Sequence, residues 1–444
     1  MANLSHDQAA ALEELHAFTG AARRGLALSG PAGTGKSFLI GQFLRETNAR
    51  VHLTASTHKA AKVVAGLAGE EAATVHSLFG LRPVNDYASG ETRLERRKEP
   101  KAESGSLVII DEASMIDREL LRRLAQDAKE LDLKLLFVGD PYQLPPVADG
   151  SGTPIVFDVI PTLKLTTVHR QAKGNPIIAL ATAFRQVLDG GAYPVIRPHG
   201  EAIRRVDRTG FGGLIRERFT TAEYDRDPNY CRLVAWTNAR VRQLNAYVRG
   251  LLLGPDARRY AYLPGETLIA NEAIVANEEV LLANETLVLV NKAEVAVYGP
   301  TTAGLSGSWL EVTTTEGADH RLFVPDDLDA ARRYLALLRR QAQALKGLTG
   351  EDSDRQARAA WRGYFEAKES FADLRPPHAV TVHKSQGSTY RHVLVQTEDI
   401  GQAVHYPGHL LARLIYVALT RAAETATFYG SLPASLYLPE RRAA

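Results

Sequence analysis

The chain has 444 residues, and at roughly 150 residues per domain it should fold as about three packed units. Hydrophobic residues make up 45% and charged residues 23%, which is ordinary globular usage, so several cores can form and wholesale disorder is excluded. The 53 Lys and Arg nearly balance the 51 Asp and Glu, and a formal charge of +2 neither announces nor excludes a phosphate-rich partner, because counterion release needs only local basic surface.

The single cysteine, Cys231, excludes an intrachain disulfide framework and any metal site built on cysteine clusters, and it points to a reducing compartment. The opening MANLSHDQAAALEEL has neither a basic leader nor an apolar segment, and no run reaches the ~18 apolar residues of a bilayer span. An intracellular protein with no membrane role is expected.

In chain order, Gly25–Ser29, Val51–Ala55, Leu107–Ile110 and Lys134–Val138 are short apolar or β-branched runs of the length of buried parallel strands. Helical patterns over Lys36–Glu46, His58–Leu67 and Asp117–Leu131 separate them, so the first 160 residues read as an open parallel sheet covered by helices. A second alternation has strands at Leu163–Val168, Arg232–Trp236, Ala379–Val382, Val393–Gln396 and Ala426–Tyr429, with helices near Pro176–Leu188, Ala239–Leu252 and His409–Thr420. Residues 161–262 and 376–444 are therefore expected to form a second α/β body. Residues 263–375 interrupt it with a strand-rich stretch, Glu285–Val324, and two polar helices, Asp326–Leu345 and Ser353–Leu374. This block predicts an inserted subdomain that is part β-barrel-like and part helical.

Gly30-Pro31-Ala32-Gly33-Thr34-Gly35-Lys36-Ser37 matches the phosphate-loop pattern and lies between a buried strand and a helix, where that loop works. Its glycines let successive N–H groups face phosphates, the helix N-terminus adds positive potential, Lys36 reaches the outer phosphates and Ser37 offers a hydroxyl to magnesium. Asp111 and Glu112 end the strand LVII at the carboxyl edge of the sheet. Asp111 is expected to hold magnesium through its water shell, and Glu112 to orient or deprotonate the attacking water. Gln143, after Asp140, is placed to sense the γ-phosphate. The short match Asn291-Lys292-Ala293-Glu294 to a guanine-reading sequence is discounted, since it ends in Glu and lies far from the loop. The implied cofactors are ATP and Mg2+.

The ordered series Gln8, GPAGTGKS (30–37), THKAA (57–61), TVHSLFG (74–80), DEAS (111–114), GDPYQLPPV (139–147), TTVHRQ (166–171), TVHKSQGST (381–389) and YVALTRA (416–422) closely resembles the superfamily 1 DNA helicases. Within them it is most similar to the Dda-type bacteriophage helicases, close to the RecD-like group. The resemblance implies two RecA-like motor domains, ATP-driven movement on single-stranded DNA with 5′ to 3′ polarity, and a bacterial or phage-infected host cytoplasm. It makes Gln8 an adenine contact, Arg170 and Arg421 arginine fingers for the γ-phosphate, and Gln386 and Gly387 contacts that complete the site from the second body.

For DNA, Thr57, His58, Thr74 and His76 in the first body and Asn238, His383, Lys384 and Ser385 in the second offer donors at loops that follow strands; such groups hold phosphates without reading sequence. Between Arg82 and Lys101, six basic and four acidic residues surround a Ser89-Gly90 turn, which predicts a hairpin within 81–104. By analogy with the family it would be a wedge, tipped by Tyr87 or Leu94. Replication, recombination or repair is the expected setting, and single-stranded DNA and single-strand/duplex junctions the expected partners. Single-strand-binding or replisome proteins are possible further ones, and the chain is expected to act as a monomer. Two alternatives stay open: a translocase that displaces proteins with little unwinding, and a nucleotide-switched DNA-binding accessory protein.

Overall fold

Continuous apolar strands need cover on both faces, and here two such sheets are built, each flanked by its own helices. The structure, a computed structural model of the chain, describes residues 4–55, 72–146, 153–167, 174–227, 229–276, 279–299, 304–346 and 351–437. The chain divides into two compact units: 1–79, 100–244 and 378–444 form the first, and 80–99 with 245–377 the second.

The first unit contains both parallel sheets. Its first lobe opens with α1 (His6–Gly20), β1 (Gly25–Ser29), α2 (Lys36–Glu46), β2 (Val51–Ala55) and β3 (Ala72–Thr74). The chain then enters the second unit with β4 (Leu81–Asn85) and β5 (Thr92–Arg96). It returns with β6 (Leu107–Asp111), α3 (Arg118–Glu130), β7 (Lys134–Gly139) and β8 (Thr162–Lys164). The strand order is β3-β2-β6-β7-β1-β8, with parallel pairing throughout. Phe18, Phe43, Leu28 and Leu136 are fully buried in this lobe's core. Asp117 starts α3 by accepting the Leu120 N–H at 2.7 Å, as an acidic N-cap should.

One expected strand belongs elsewhere. Leu163–Val168 was assigned to the second body, but its described part is β8, which pairs with β1 and closes the edge of the first sheet. The expected helix His58–Leu67 lies outside the described residues.

The second lobe has α4 (Pro176–Leu188), β9 (Ile203–Val206), α5 (Arg208–Phe219), β10 (Cys231–Ala235) and α6 (Asn238–Leu253). The chain then enters the second unit again, with β11 (Thr267–Ala270), β12 (Ile274–Ala276), β13 (Glu279–Leu282), β14 (Leu287–Tyr298), β15 (Leu305–Thr314), β16 (Asp319–Pro325), α7 (Leu328–Lys346), α8 (Glu351–Ser370) and β17 (Leu374–Arg375). The lobe is completed by β18 (Ala379–Thr381), β19 (Tyr390–Gln396), α9 (Leu410–Thr420) and β20 (Ala422–Tyr429). Its sheet, β18-β10-β19-β20-β9, is parallel. Phe184, Phe428 and Ile415 are fully or almost fully buried in its core, and so is Leu144, which comes from the loop after β7 of the first lobe.

In the second unit, β16-β15-β14-β11-β17 form an antiparallel sheet. Residues just after α8 touch both of its edges: Phe371 bridges Phe323 on β16, and Leu374 and Arg375 pair with β11. One short segment thus reaches both edges of the sheet. The hairpin β4–β5 joins the same unit. Its register runs from Leu81↔Arg96 to Asn85↔Thr92, and its turn is tied by Gly90 N–H donating to the Asp86 carbonyl at 2.7 Å. Asp86 also accepts from the Ala88 N–H and the Ser89 hydroxyl. Gly90 has φ 73°, and a Cβ there would stand 2.0 Å from the Trp361 ring of α8, so only glycine fits. The Tyr87 ring meets Phe365 edge-on at 5.3 Å, and the Asn85 amide donates to Glu369 at 2.6 Å. The hairpin is thus packed along α8.

This register corrects one expectation. Leu94 stands mid-strand opposite Pro83, two pairs before the turn, so it is not a tip residue. Tyr87 lies in the turn and is 45% exposed.

Candidate functional site

The phosphate loop follows β1, where Gly30 N–H donates to the Gly139 carbonyl of β7 at 3.1 Å, and it ends at the N-terminus of α2. Gly33 and Gly35 take φ of 84° and 77°, left-handed values that a side chain resists. Thr34 closes the loop on itself, its hydroxyl donating to the Pro31 carbonyl at 2.9 Å. Lys36 curls back over the loop, with Nζ donating to the carbonyls of Gly30 and Pro31 at 2.5 and 3.3 Å. An ammonium held there sits at the mouth of a ring of backbone donors, a cradle for phosphate.

Asp111 and Glu112 leave β6 beside this loop. Burial, joined by the neighbouring Glu112 charge, holds the Asp111 carboxyl well above the usual carboxylate range, while the Glu112 backbone N–H and Lys36 oppose the rise. Glu112 has a left-handed backbone, φ 52°, and its Oε2 is buried without a hydrogen-bond partner. An orphaned carboxylate oxygen next to a second, crowded carboxylate is a donor set short of positive charge. It suits a divalent cation that takes one or two carboxylates and its remaining ligands from phosphate and water. Ser37 and Asp111 therefore fit a magnesium ion. Among the described residues, no group of three or more His, Cys, Asp or Glu gathers as an all-protein metal site.

Gln8 behaves differently from the sequence expectation of an adenine contact. It is fully buried; its Nε2 donates to the Thr34 carbonyl at 3.1 Å, and its Oε1 accepts the Ser5 N–H at 3.1 Å. Here it braces the phosphate loop and caps α1. Its neighbour Asp7, which was not anticipated, accepts the N–H groups of Thr166 and Thr167, each at 2.8 Å, where the chain leaves β8. Burial pushes the Asp7 carboxyl up, but bonds from the Ser5 hydroxyl and from Thr167 and Thr166 outweigh it and hold the group well below the usual carboxylate range.

The second lobe meets the loop after β7 through side chains. Gln143, 6% exposed, shares its Oε1 with the Gln386 Nε2 at 3.3 Å, and the same Nε2 donates to the Leu144 carbonyl at 3.0 Å. Arg413 of α9 donates to the carbonyls of Pro141 and Gln143 at 2.8 and 2.9 Å. Tyr416, one turn later, donates to the Asp140 carboxylate at 2.5 Å and accepts the Ala32 N–H of the phosphate loop at 3.1 Å. Neither Arg413 nor Tyr416 was singled out from the sequence, although Tyr416 opens the YVALTRA motif.

Gly387 lies next to Gln386 with φ 71°. Arg421 is 7% exposed, and its guanidinium bonds stay within the second lobe, on the carbonyls of Val417, Ser385 and Ser388 and on the Thr420 hydroxyl. It does not grip the phosphate loop in this structure. The adjacent Thr420, however, lines a cavity of about 200 Å3 with Pro31, Ala32, Asn175, Ile177 and Tyr416. Arg170 lies outside the described residues.

Of the expected DNA contacts, Thr57 and His58 also lie outside the described residues. Thr74 is 6% exposed and its hydroxyl accepts the Ser77 N–H at 3.2 Å; Ser385 is fully buried and donates to the Val382 carbonyl at 2.7 Å. Both are structural in this arrangement, a correction that follows from their burial. His76 is half-buried beyond β3; Asn238 is exposed beyond β10, and His383 and Lys384 are half-buried beyond β18. The last three share the carboxyl edge of the second sheet, since β10 and β18 are neighbours. Burial keeps the His383 imidazole below its usual pKa. His378, which precedes β18, is buried with its Nδ1 at 2.6 Å from the Tyr224 hydroxyl.

Residues 3–205 match the family model of an AAA domain, and residues 377–429 match that of a UvrD-like helicase C-terminal domain. The ATP-dependent DNA helicase dda of Enterobacteria phage T4 is 26% identical over 428 residues, covering 89% of this chain and 92% of that protein. The chain belongs to the superfamily 1 DNA helicases. A second relative of this superfamily 1 chain, the RecD2 DNA helicase of Deinococcus radiodurans, is 35% identical over 181 residues, or 40% of this chain and 23% of that one. The helicase also shares its fold with a solved Pif1 structure described at forked duplex DNA, at TM-score 0.51 and 17% identity over 99% of this chain and 95% of that one. The Pif1 helicase from Bacteroides in complex with ADP-AlF3 and single-stranded DNA gives 0.50 and 18% over the same shares.

Proposed function

We propose that this chain is an ATP-dependent DNA helicase that moves 5′ to 3′ along single-stranded DNA and separates the duplex it meets. The observation that carries the reading is a phosphate loop bounded by both lobes, with Ala32 bonded to Tyr416 and a cavity shared by Pro31, Ala32 and Thr420. The extent of the likeness to the phage T4 helicase supports it.

In this reading the loop amides and Lys36 hold the phosphates of ATP, and Glu112 orients the attacking water. A bound magnesium ion, held by Ser37 and Asp111, supplies charge neutralisation on the phosphates. Gln143 and Gln386 form the contact that registers the γ-phosphate. Arg421 exchanges the Ser385 and Ser388 carbonyls for transition-state charge when the lobes tighten, with Arg170 as its counterpart. Reading adenine would require Gln8 to give up its bonds to Thr34 and Ser5. His76, Asn238, His383 and Lys384 take the strand's phosphates, and alternate tightening and loosening moves one lobe past the other. The hairpin acts as the wedge: Tyr87 meets the end base pair, and the packing on α8 keeps the turn from yielding. Stacking in DNA averages ~1.4 kcal/mol per step, so each advance melts a modest increment. The chain acts as a monomer, and single-strand-binding or replisome proteins would be its partners in replication, recombination or repair.

The test is ATP hydrolysis with and without single-stranded DNA. Strong stimulation is expected; slow turnover that ignores DNA would reduce the chain to a nucleotide-switched binder.

A further inference from the structure

The bonds between α9 and the loop after β7 go beyond closing a cleft. Asp140 is 1% exposed, and its carboxylate is satisfied from two sides: Oδ1 accepts the Tyr142 N–H at 2.9 Å, and Oδ2 accepts the Tyr416 hydroxyl at 2.5 Å. A peptide N–H only donates and a phenol has one proton to give, so the Tyr416 hydroxyl takes from Ala32 and gives to Asp140. One buried oxygen thus joins the phosphate loop to Asp140, whose own carbonyl accepts the Gln143 N–H at 3.1 Å. The same short loop is held at its far end by Arg413 on two carbonyls and by Leu144, fully buried in the second lobe's core. Residues Asp140–Leu144 are covalently part of the first lobe yet anchored to the second. Tyr416 is the point where that anchor touches the nucleotide cradle.

We propose that Tyr416 is a positioning residue that couples the phosphate loop to the Asp140–Leu144 loop, so that nucleotide bound on the first lobe and DNA gripped with the help of the second are sensed by each other. The proposal rests on the nucleotide-site reading given above. It predicts that loss of one hydroxyl uncouples hydrolysis from DNA while leaving the fold in place, because Tyr416→Phe keeps the ring and its packing and removes only the bridge.

The experiment measures ATP turnover with saturating single-stranded DNA and without it, and takes the ratio as the readout. In Tyr416→Phe the ratio is expected to fall about tenfold or more, as befits a buried bond to a charged group. A purely structural role lowers both rates together and leaves the ratio unchanged. Asp140→Asn, which weakens the acceptor without changing its shape, is the second variant and should lower the ratio in the same way. The double variant should fall no further than the single ones, since both break one bridge. Ratios within about twofold of wild type in both single variants, or losses that multiply in the double variant, overturn the proposal. Should Tyr416→Phe fail to fold, Asp140→Asn decides alone by the same limit. Lys36→Ala serves as the control: turnover surviving in it removes the nucleotide-site reading itself, whereas its loss beside an unchanged Tyr416→Phe ratio removes only the coupling.

Discussion

The first lobe contributes backbone to the nucleotide site: loop amides, two left-handed glycines and a helix N-terminus, in eight consecutive residues. The second lobe contributes side chains from α9 and the HKSQG segment, aimed at carbonyls and at one carboxylate of its neighbour. A backbone cradle works only when particular residues stand next to one another, so spacing reveals it. A side-chain dock needs only the right atom at the right place in space, which the linear sequence does not record. The lobes do share one device. Asp7 holds the N–H groups of Thr166 and Thr167 after β8, and Asp399 holds those of Trp236 and Thr237 after β10, at 2.6 and 2.9 Å. In each case one carboxylate fixes the exit of a strand whose loop leads toward expected functional residues.

The contrast is open to attack from the first lobe, where the effect should be largest. Lys36→Ala should lower ATP turnover by on the order of 10³-fold or more while single-strand binding, read by fluorescence anisotropy, stays close to wild type. Retained turnover would mean that the cradle is not the catalytic site. On the second lobe, Arg421→Ala should cost about 10² to 10³ in DNA-stimulated turnover and change nucleotide affinity by less than about threefold. If affinity collapses with rate, Arg421 holds its own lobe together, as its carbonyl bonds in this structure do, and is not a finger.

Outside both lobes, Tyr87→Ala should slow duplex opening by about fivefold to a hundredfold with ATPase unchanged, because stacking of a base on an aromatic ring is worth ~1–3 kcal/mol. Unwinding at full rate would leave the hairpin without a wedge role. The smallest effect concerns the strand-exit device. Asp7 titrates lower in the folded chain than the usual ~3.9, so its contribution is complete above about pH 5 and is lost as the pH falls through its folded value. Asp7→Asn should therefore cost roughly 1 kcal/mol at pH 7 in urea unfolding, and the gap from wild type should narrow in acid. A gap independent of pH would show that the bonds at Thr166 and Thr167 do not need the charge.

Much of this was legible in the sequence where local physics suffices. The boundaries of β1, α2, β2 and α4 coincide with the apolar runs and helix starts that predict them, and the phosphate loop stands where its spacing puts it. Long-range pairing was not legible. β8 reads as any short apolar strand, and only its parallel register with β1 assigns it to the first sheet. Tyr416 and Ala32 are 384 residues apart in the chain, and Arg413 and Pro141 are 272 apart. Thr74 and Ser385 carry the same hydroxyl as a surface phosphate contact, and only burial distinguishes them from one. Gln8 shows the same limit: an amide suited to adenine is equally suited to a loop carbonyl.

In the proposed mechanism, hydrolysis between the two lobes becomes one-way travel that opens duplex. The most direct measurement follows strand separation and ATP consumption together on duplexes that carry either a 5′ or a 3′ single-stranded tail. Opening of the 5′-tailed duplex alone, in step with hydrolysis, is the predicted result; opening confined to the 3′-tailed duplex, or brisk hydrolysis with neither duplex opened, would contradict it.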